Sequence, residues 1–193
     1  QKIVYISMDH PMLKLSQFQD VLECYHENIY AEQDVYYFFD EVQYAQVLNV
    51  LEKHPKLKVV FAHFFFLSAQ LERLDGILQR YPNVMVDLTP GIEMYENFSA
   101  NYENAKAFFE KYHDRIAYGT DIGGRCILTN EGDRFNEKEN FRRPEIVREF
   151  LMMDGEDVIE ADGNFLHDRA PFTMRGLGLQ GERLEESLSG NIR

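Results

Sequence analysis

Residues 58–88 read KVVFAHFFFLSAQLERLDGILQRYPNVMVDL and hold two apolar runs on either side of a helical pattern. The runs at residues 58–62 and 84–88 lack the polar alternation of a half-exposed strand, which predicts two strands buried on both faces. A helix is predicted from Ser68 to about Arg80. Its apolar residues recur at the spacing of one helical face: Leu71, Leu74, Ile77 and Leu78. Strand, helix and strand in this order predict two parallel strands joined by a helical crossover.

The same pattern repeats on both sides of this unit. Further strands are predicted at residues 3–6 and 115–119, where short apolar runs end in polar residues. The aromatic-rich residues 12–39 are expected to form an irregular excursion, and residues 154–174 fit no single pattern. Further helices are predicted over four ranges: residues 40–53 with Asp40 as the N-cap, 101–112, 143–152 and 181–189.

Four strand–helix units in succession predict an α/β protein with a parallel sheet. Both an open doubly wound sheet and part of a (β/α)8 barrel fit this alternation. No glycine-rich phosphate loop follows any predicted strand, which disfavours the nucleotide-binding form of the open sheet. The 193 residues, of which 45% are hydrophobic and 27% charged, suit a single domain over residues 1–193.

The charge balance and the cysteine count argue against several classes of protein. The chain has 20 basic and 33 acidic residues, and its formal net charge of −13 argues against a surface for nucleic acid or anionic membranes. Cys24 and Cys126 are far apart in sequence, which disfavours a disulfide framework or a cysteine zinc ribbon. No apolar stretch approaches about 20 residues, and the first residues lack the features of a signal peptide. A cytoplasmic protein without a membrane span is therefore expected.

Polar side chains follow each of the four predicted strands. The carboxyl ends of parallel strands lie at one edge of a sheet, where barrels form their active sites, so we expect these side chains to converge. They are Ser7 with the nearby His10, then His63, Asp87, Thr120 and Asp121. Imidazoles and carboxylates together suit a divalent metal with a nearby proton-transfer group.

Each of these residues also has a purely structural interpretation. His63 stands between an apolar strand and three phenylalanines, so a hydrogen-bonded core histidine is an equal alternative. Asp121 could cap a turn, although Gly119 nearby suggests a close backbone approach and favours function. Asp87 fits a structural role in its loop better than a functional one, and His10 fits a loop residue as well as a ligand.

Several segments resemble one family in the same order along the chain. They are Lys58–His63, Tyr81–Asp87, Asp114–Asp121, and Gly176–Leu179 followed by Leu188–Asn191. This set resembles the second half of the amidohydrolase-2 family, the metal-dependent group related to aminocarboxymuconate semialdehyde decarboxylase. Any one segment is weakly specific. The ordered set covers nearly the whole chain at the spacing of barrel units and is fairly specific.

The resemblance implies a (β/α)8 TIM-barrel fold, of which this chain would cover about strands five to eight as a half-barrel. The N-terminal half, which carries a His-x-His metal pair on strand one in the family, is expected to be missing, because this sequence contains no His-x-His. The resemblance also implies that His63 matches strand six and Asp121 matches strand eight. Ser7 then takes the place of the strand-five histidine, with His10 as its nearest substitute.

The resemblance further implies a metal-dependent hydrolase acting on a C–N or C–O bond of a small metabolite, or a decarboxylase, with zinc or manganese as the metal. The full-length parent would carry this activity, and the chain alone is expected to be inactive. The implied roles are catalysis by His63 and Asp121, metal binding by His10 and Asp121, and substrate binding by Ser7, Asp87 and Thr120.

Two other functions stay open. A catalytically degenerate barrel would bind a small ligand or a protein partner, which Ser7 and the missing His-x-His favour. A free-standing half-barrel would form a homo-oligomer, because the unpaired edges of its outer strands invite association.

Overall fold

Five parallel strands form the sheet that positions the candidate site. The computed structural model describes residues 2–7, 18–28, 35–40, 44–120, 137–159 and 171–185. The strands lie side by side in chain order, and each neighbouring pair is parallel. They are β1 (Lys2–Ser7), β2 (Val35–Asp40), β3 (Lys58–Phe61), β4 (Val84–Asp87) and β5 (Ile116–Ala117).

Helices connect these strands and continue the chain beyond them. They are α1 (Phe18–Asn28), α2 (Tyr44–Lys53), α3 (Leu71–Arg80), α4 (Ile92–Ala100), α5 (Tyr102–Tyr112), α6 (Glu137–Met152) and α7 (Gly181–Glu185). After α6, β6 (Asp154–Ile159) pairs antiparallel with β7 (Phe172–Leu177). None of the helices in the described ranges is long and apolar enough to cross a membrane.

The strand order distinguishes between the two parallel architectures that the sequence left open. A doubly wound sheet reverses its strand order at a switch point, and the described strands run from β1 to β5 without a reversal. Each crossover therefore moves one strand further in the same direction, as in a (β/α) barrel. The α/β prediction is confirmed, and the topology is consistent with part of a TIM-barrel domain.

The described residues contain five parallel strands, one more than the four strand–helix units predicted. Residues 12–39 contain α1 and β2 instead of an irregular excursion. β2 reads VYYFFD, and aromatic residues favour strands because they pack well on a pleated surface. Asp40 consequently ends β2 and does not cap α2, which begins at Tyr44.

Some boundaries and small elements also differ from the sequence predictions. α3 begins at Leu71 and not at Ser68, and α6 begins at Glu137, before the predicted residue 143. The unpredicted helix α4 precedes α5. β6 opens the ambiguous range 154–174, and β7 begins at its end. In β6 only Ile159 is buried, so this strand has no apolar run that the sequence could reveal.

The two faces of the sheet pack differently. Side chains alternate between the faces along each strand. One face belongs to the main hydrophobic core, which the helices complete; its strand residues include Val59, Phe61, Val84, Val86 and Ile116. The other face holds a separate buried cluster of Val60, Met85 and Ala117. Asp87 lies two residues beyond Met85, so it continues this second face at the carboxyl edge of the sheet.

An aromatic cluster joins three helices in the main core. The Phe150 ring of α6 lies 5.2 Å from Tyr95 and 5.3 Å from Phe98 of α4, measured between ring centroids. The same ring lies 5.5 Å from Phe109 of α5. All four side chains are fully buried. Such edge-to-face and offset pairs add about 0.5–1.5 kcal/mol each beyond the burial of their area.

Arg115 fastens the start of β5 to the preceding strand and helix. Its guanidinium donates hydrogen bonds to the backbone carbonyls of Leu78 at 2.7 Å, Tyr81 at 2.7 Å and Val84 at 2.8 Å. These carbonyls belong to the end of α3, the turn after it and the start of β4. Burial lowers the pKa of Arg115, but an arginine side chain stays charged at any pH at which the protein folds.

Candidate functional site

Three adjacent strands bring candidate residues to one edge of the sheet. The pairing of Phe61 with Val86 and of Asp87 with Ala117 sets the relative heights of β3, β4 and β5. The residues that follow these strands are therefore neighbours. His63 comes two residues after β3, Asp87 ends β4, and Thr120 comes three residues after β5.

His63 begins a left-handed turn at the end of β3. His63, Phe64, Phe65 and Phe66 have φ angles of 53°, 54°, 55° and 54°. L-residues avoid this conformation because Cβ approaches the following carbonyl, and each such residue costs about 1–2 kcal/mol. Four of them in succession, none a glycine, form a strained segment of a kind that clusters at functional sites.

Two buried phenylalanines compensate for part of this strain. Phe64 lies 4.9 Å from Phe98, and Phe65 stacks on Phe61 at 3.9 Å between ring centroids. Full burial of a phenylalanine side chain contributes about 1.5–3 kcal/mol, which offsets the backbone cost at these two positions. Phe66 has no such compensation, because 58% of it is exposed. Its ring instead stacks on the imidazole of His63, 5.2 Å away and tilted by 25°.

Asp87 ties the ends of two strands together. Its Oδ1 accepts hydrogen bonds from the backbone N–H of His63 at 2.9 Å and from that of Thr89 at 3.0 Å. Only 5% of Asp87 is exposed. Burial raises the pKa of this carboxyl group and outweighs the lowering by the bonds from Thr89 and by the nearby His63. The carboxylate thus fixes the backbone at which the imidazole is attached.

Gly119 allows β5 to approach this pair closely. A Cβ atom at Gly119 would collide with Oγ1 of Thr89 and would lie 3.2 Å from Cγ of Asp87. A residue without a side chain is therefore required here for steric reasons. In the sequence, Gly119 indicates a close backbone approach and thereby favours a functional role for Asp121. The structure shows the approach itself, and it is directed at Asp87 and Thr89.

One tyrosine, Tyr95, lies near the carboxylate, and a second, Tyr118, lies near Tyr95. The hydroxyl of Tyr95 donates to the carbonyl of Leu88 at 3.2 Å, and Tyr95 is fully buried. Burial, and then the charge of Asp87, raises the pKa of Tyr95 well above its ordinary value, so it remains a neutral donor. Tyr118 donates to the carbonyl of Pro144 at 3.1 Å, and burial raises its pKa as well.

The structure places only some of the predicted site residues. His63 and Asp87 are in contact, and Thr120 is half-buried at the same edge. Ser7 ends β1, opposite Asp40 of β2. Because β2 separates β1 from β3, the strand next to that of His63 ends in Asp40, and the assignment of Ser7 to that strand is wrong. His10 and Asp121 lie outside the described residues.

Some residues of this edge had no signal in the sequence that pointed to a site. Phe66 belongs to the run Phe64-Phe65-Phe66, which suggests buried core, and nothing in that run predicts a left-handed turn. Tyr95 lies in a helix that was not predicted. Thr89 is not among the predicted site residues, although a threonine two residues after a strand-end aspartate is well placed to hydrogen-bond to it.

The donor set does not by itself make a metal centre. Among the described residues no three histidine, cysteine, aspartate or glutamate side chains come close enough together to hold a metal ion. A structural or catalytic zinc site needs three or four protein ligands. His63 and Asp87 supply at most two, and the Oδ1 atom of Asp87 already accepts backbone hydrogen bonds. The described residues alone therefore do not fit a metal.

Comparison with known proteins supplies the family. The family model Amidohydro_2, described as Amidohydrolase, matches residues 33–153, from just before β2 to just after α6. No curated protein and no solved structure matches the chain. The matched range contains His63, Asp87, Gly119 and Thr120 and covers more than half of the 193 residues. The chain therefore belongs to the amidohydrolase family that this model describes.

Proposed function

We propose that the protein to which this chain belongs is a metal-dependent hydrolase or decarboxylase of a small carboxylate-bearing metabolite, in which His63 transfers protons or stabilises an oxyanion. The observation that carries the proposal is the placement of His63. A strained turn and a bond to Asp87 hold this histidine, half-buried, at the carboxyl edge of a parallel sheet. Barrel enzymes build their active sites at this edge.

An imidazole suits both proposed reactions. It can accept a proton from a water nucleophile or donate one to a leaving nitrogen or oxygen, because its two protonation states are both accessible near neutral pH. In decarboxylation the same group would protonate the carbon that loses CO₂. The fixed backbone of His63 matters in either case, because general acid–base catalysis needs the donor within hydrogen-bond reach of the reacting atom.

Asp87 acts in this proposal mainly by positioning. Its Oδ1 holds the backbone of His63 and Thr89, and its burial leaves little surface for a substrate. Substrate contacts by Asp87, Thr120 and Ser7 stay predictions. Asp121 keeps its proposed role as a base or metal ligand, because it follows Thr120 directly in the sequence and so belongs to the chain that leaves β5.

A divalent metal would, when bound, polarise a substrate carbonyl or supply an activated water. Its proposed ligands in this chain are His10 and Asp121. The remaining ligands would come from outside the described residues, either from an N-terminal half that carries His-x-His or from a second copy of the chain. The family generally uses divalent metals, which supports zinc or manganese without selecting between them.

A non-catalytic binding protein is the second candidate. The sequence contains no His-x-His. The strand next to that of His63, where the family carries its strand-five histidine, ends in Asp40. Such a chain would keep the shape of the ligand pocket and lose the metal. The two functions differ in metal stoichiometry, which elemental analysis of the purified protein measures directly.

The test combines metal content with turnover. Zinc and manganese are quantified in the purified protein, which is then assayed on a panel of carboxylate-bearing amides, lactones and acids with an adjacent electron sink. We expect near-stoichiometric metal in the full-length protein. We also expect His63→Asn to reduce turnover about 10²–10⁴-fold. His54→Asn is the matched control, because this exposed histidine follows α2 at the opposite edge of the sheet. Turnover that survives His63→Asn would overturn the proposed role of His63.

A further inference from the structure

We propose that Phe66 is a positioning residue for His63: its ring, presented by the left-handed turn, fixes the orientation of the imidazole. The effect on catalysis rests on the proposed function, whereas the contact between the two rings does not depend on it. The two rings are 5.2 Å apart and nearly parallel, with a tilt of 25°.

The turn places the two rings together through its backbone. A residue in ordinary extended conformation after β3 would send successive side chains to opposite faces. The left-handed conformation of His63 to Phe66 instead winds one tight turn, closed by the hydrogen bond from the N–H of Leu67 to the carbonyl of Phe64 at 3.1 Å. Residues three apart on such a turn lie on the same side, and these are His63 and Phe66.

The neighbouring residues hold the turn from both sides. Phe64 and Phe65 are buried, and their rings pack against Phe98 and Phe61. The bond from the N–H of His63 to Asp87 fixes the beginning of the turn. The backbone of His63 is thereby fixed, while the described residues give no hydrogen bond to either nitrogen of its imidazole. Rotation about the side-chain bonds is what remains to be restricted, and the stack with Phe66 restricts it.

Exposure of Phe66 is consistent with this role. An aromatic side chain that served only stability would gain more by burial, yet 58% of Phe66 is exposed. One face of its ring lies on the imidazole of His63, which is itself half-buried. An exposed ring in a strained conformation is a cost to folding, and strain of this kind persists where surrounding structure over-determines it.

The experiment follows the carbon-bound imidazole protons of His63 by NMR in the full chain, assigned with His63→Asn. A stacked phenyl ring shields these protons. Phe66→Leu is expected to move their signals downfield and to increase the motion of the imidazole side chain. Phe66→Tyr, which keeps the ring, is expected to leave the signals in place. Phe66→Asn removes the ring but tolerates the left-handed conformation, so it keeps the test valid if Phe66→Leu folds poorly.

Turnover provides the second measurement, on the panel member that the unaltered protein converts fastest. We expect kcat to fall roughly tenfold in Phe66→Leu and Phe66→Asn with KM changed by less than about twofold, and Phe66→Tyr to restore kcat. Unmoved His63 signals in both ring-free variants would overturn the stack. Moved signals with unchanged kcat, on a substrate whose turnover requires His63, would overturn positioning. If His63→Asn leaves turnover intact, the proposed function fails, and the NMR signals still decide whether Phe66 orients the ring.

Discussion

At Phe66, in the left-handed turn, glycine should be more stabilising than alanine, although glycine normally destabilises an ordered segment relative to alanine. Phe66 has a φ angle of 54° and is 58% exposed, so its replacement by alanine or glycine removes the same partly exposed ring. The two variants then differ in their backbone preference. Alanine retains the Cβ that makes the left-handed conformation cost about 1–2 kcal/mol, and glycine does not.

The larger conformational entropy of glycine in the unfolded chain reduces its advantage, by about 0.4–1 kcal/mol. We therefore expect the protein with Phe66→Gly to be more stable than that with Phe66→Ala by roughly 0.5–1 kcal/mol. Phe141 is the matched control, because it is 64% exposed and lies inside α6. There glycine should be the less stable variant by about 1 kcal/mol, as in any exposed helix interior.

The assay is urea unfolding of the four single variants, with the free energy of unfolding extrapolated to water. The informative quantity is the difference between glycine and alanine at each position, since the lost ring cancels. Opposite signs at positions 66 and 141 support the turn. If alanine is as stable as glycine at position 66, or more stable, the backbone there is not left-handed and the positioning argument for His63 fails with it.

Three further predictions test individual contacts, one at the site and two elsewhere in the fold. Gly119→Ala should destabilise the protein by about 1–3 kcal/mol in thermal or urea unfolding, because the new Cβ meets Thr89. Gly76→Ala is the control: it lies in α3 with nothing within 4 Å of its Cβ and should stabilise the protein by up to about 1 kcal/mol. Equal effects of the two substitutions would contradict the close approach at β5. Arg115→Lys should lower the free energy of unfolding by about 2–4 kcal/mol, because the three donors of a lysine sit on one nitrogen and cannot reach the carbonyls that Arg115 bonds through three separate nitrogens. A change below about 0.5 kcal/mol would show that these bonds contribute little. Burial raises the pKa of Asp75, but the bonds from Lys111 and the hydroxyl of Tyr112 outweigh it and leave this pKa below its ordinary value. A carboxyl group whose pKa is lowered by folding stabilises the protein above its unfolded pKa of about 4, and this stability is lost as the pH falls through the folded pKa. The Asp75→Asn protein should therefore lose less stability than the unaltered protein between about pH 5 and pH 2. Parallel curves of stability against pH would refute this assignment.

The parts of the fold that could be predicted are those in which sequence pattern and packing agree. β3 and β4 are continuous apolar runs because both faces of the sheet are covered, and α3 carries the apolar spacing of a single buried face. The sequence does not predict β2, because its aromatic residues show no clear strand period and suit an irregular segment equally well. The sequence does not predict β6 either, because five of its six residues are exposed and it therefore lacks the apolar residues that mark a buried strand.

The site was predictable in position and unpredictable in geometry. Strand ends identified His63 and Asp87, because the carboxyl ends of parallel strands must meet. The contact between them runs through the backbone N–H of His63, a group that every residue except proline has. The turn that carries Phe66 contradicts the local preference of all four of its residues. No rule based on the propensities of single residues could therefore find it.

The aromatic cluster around Phe150 has a consequence for how the protein opens. Its rings come from α4, α5 and α6, so none of these helices can leave the core without exposing the rings of the other two. Loss of one helix therefore removes much of the stability of all three. The most protected backbone amides in these helices should accordingly share one free energy of opening in deuterium exchange, set by unfolding of the whole cluster, while amides of the exposed strand β6 exchange through openings of lower free energy.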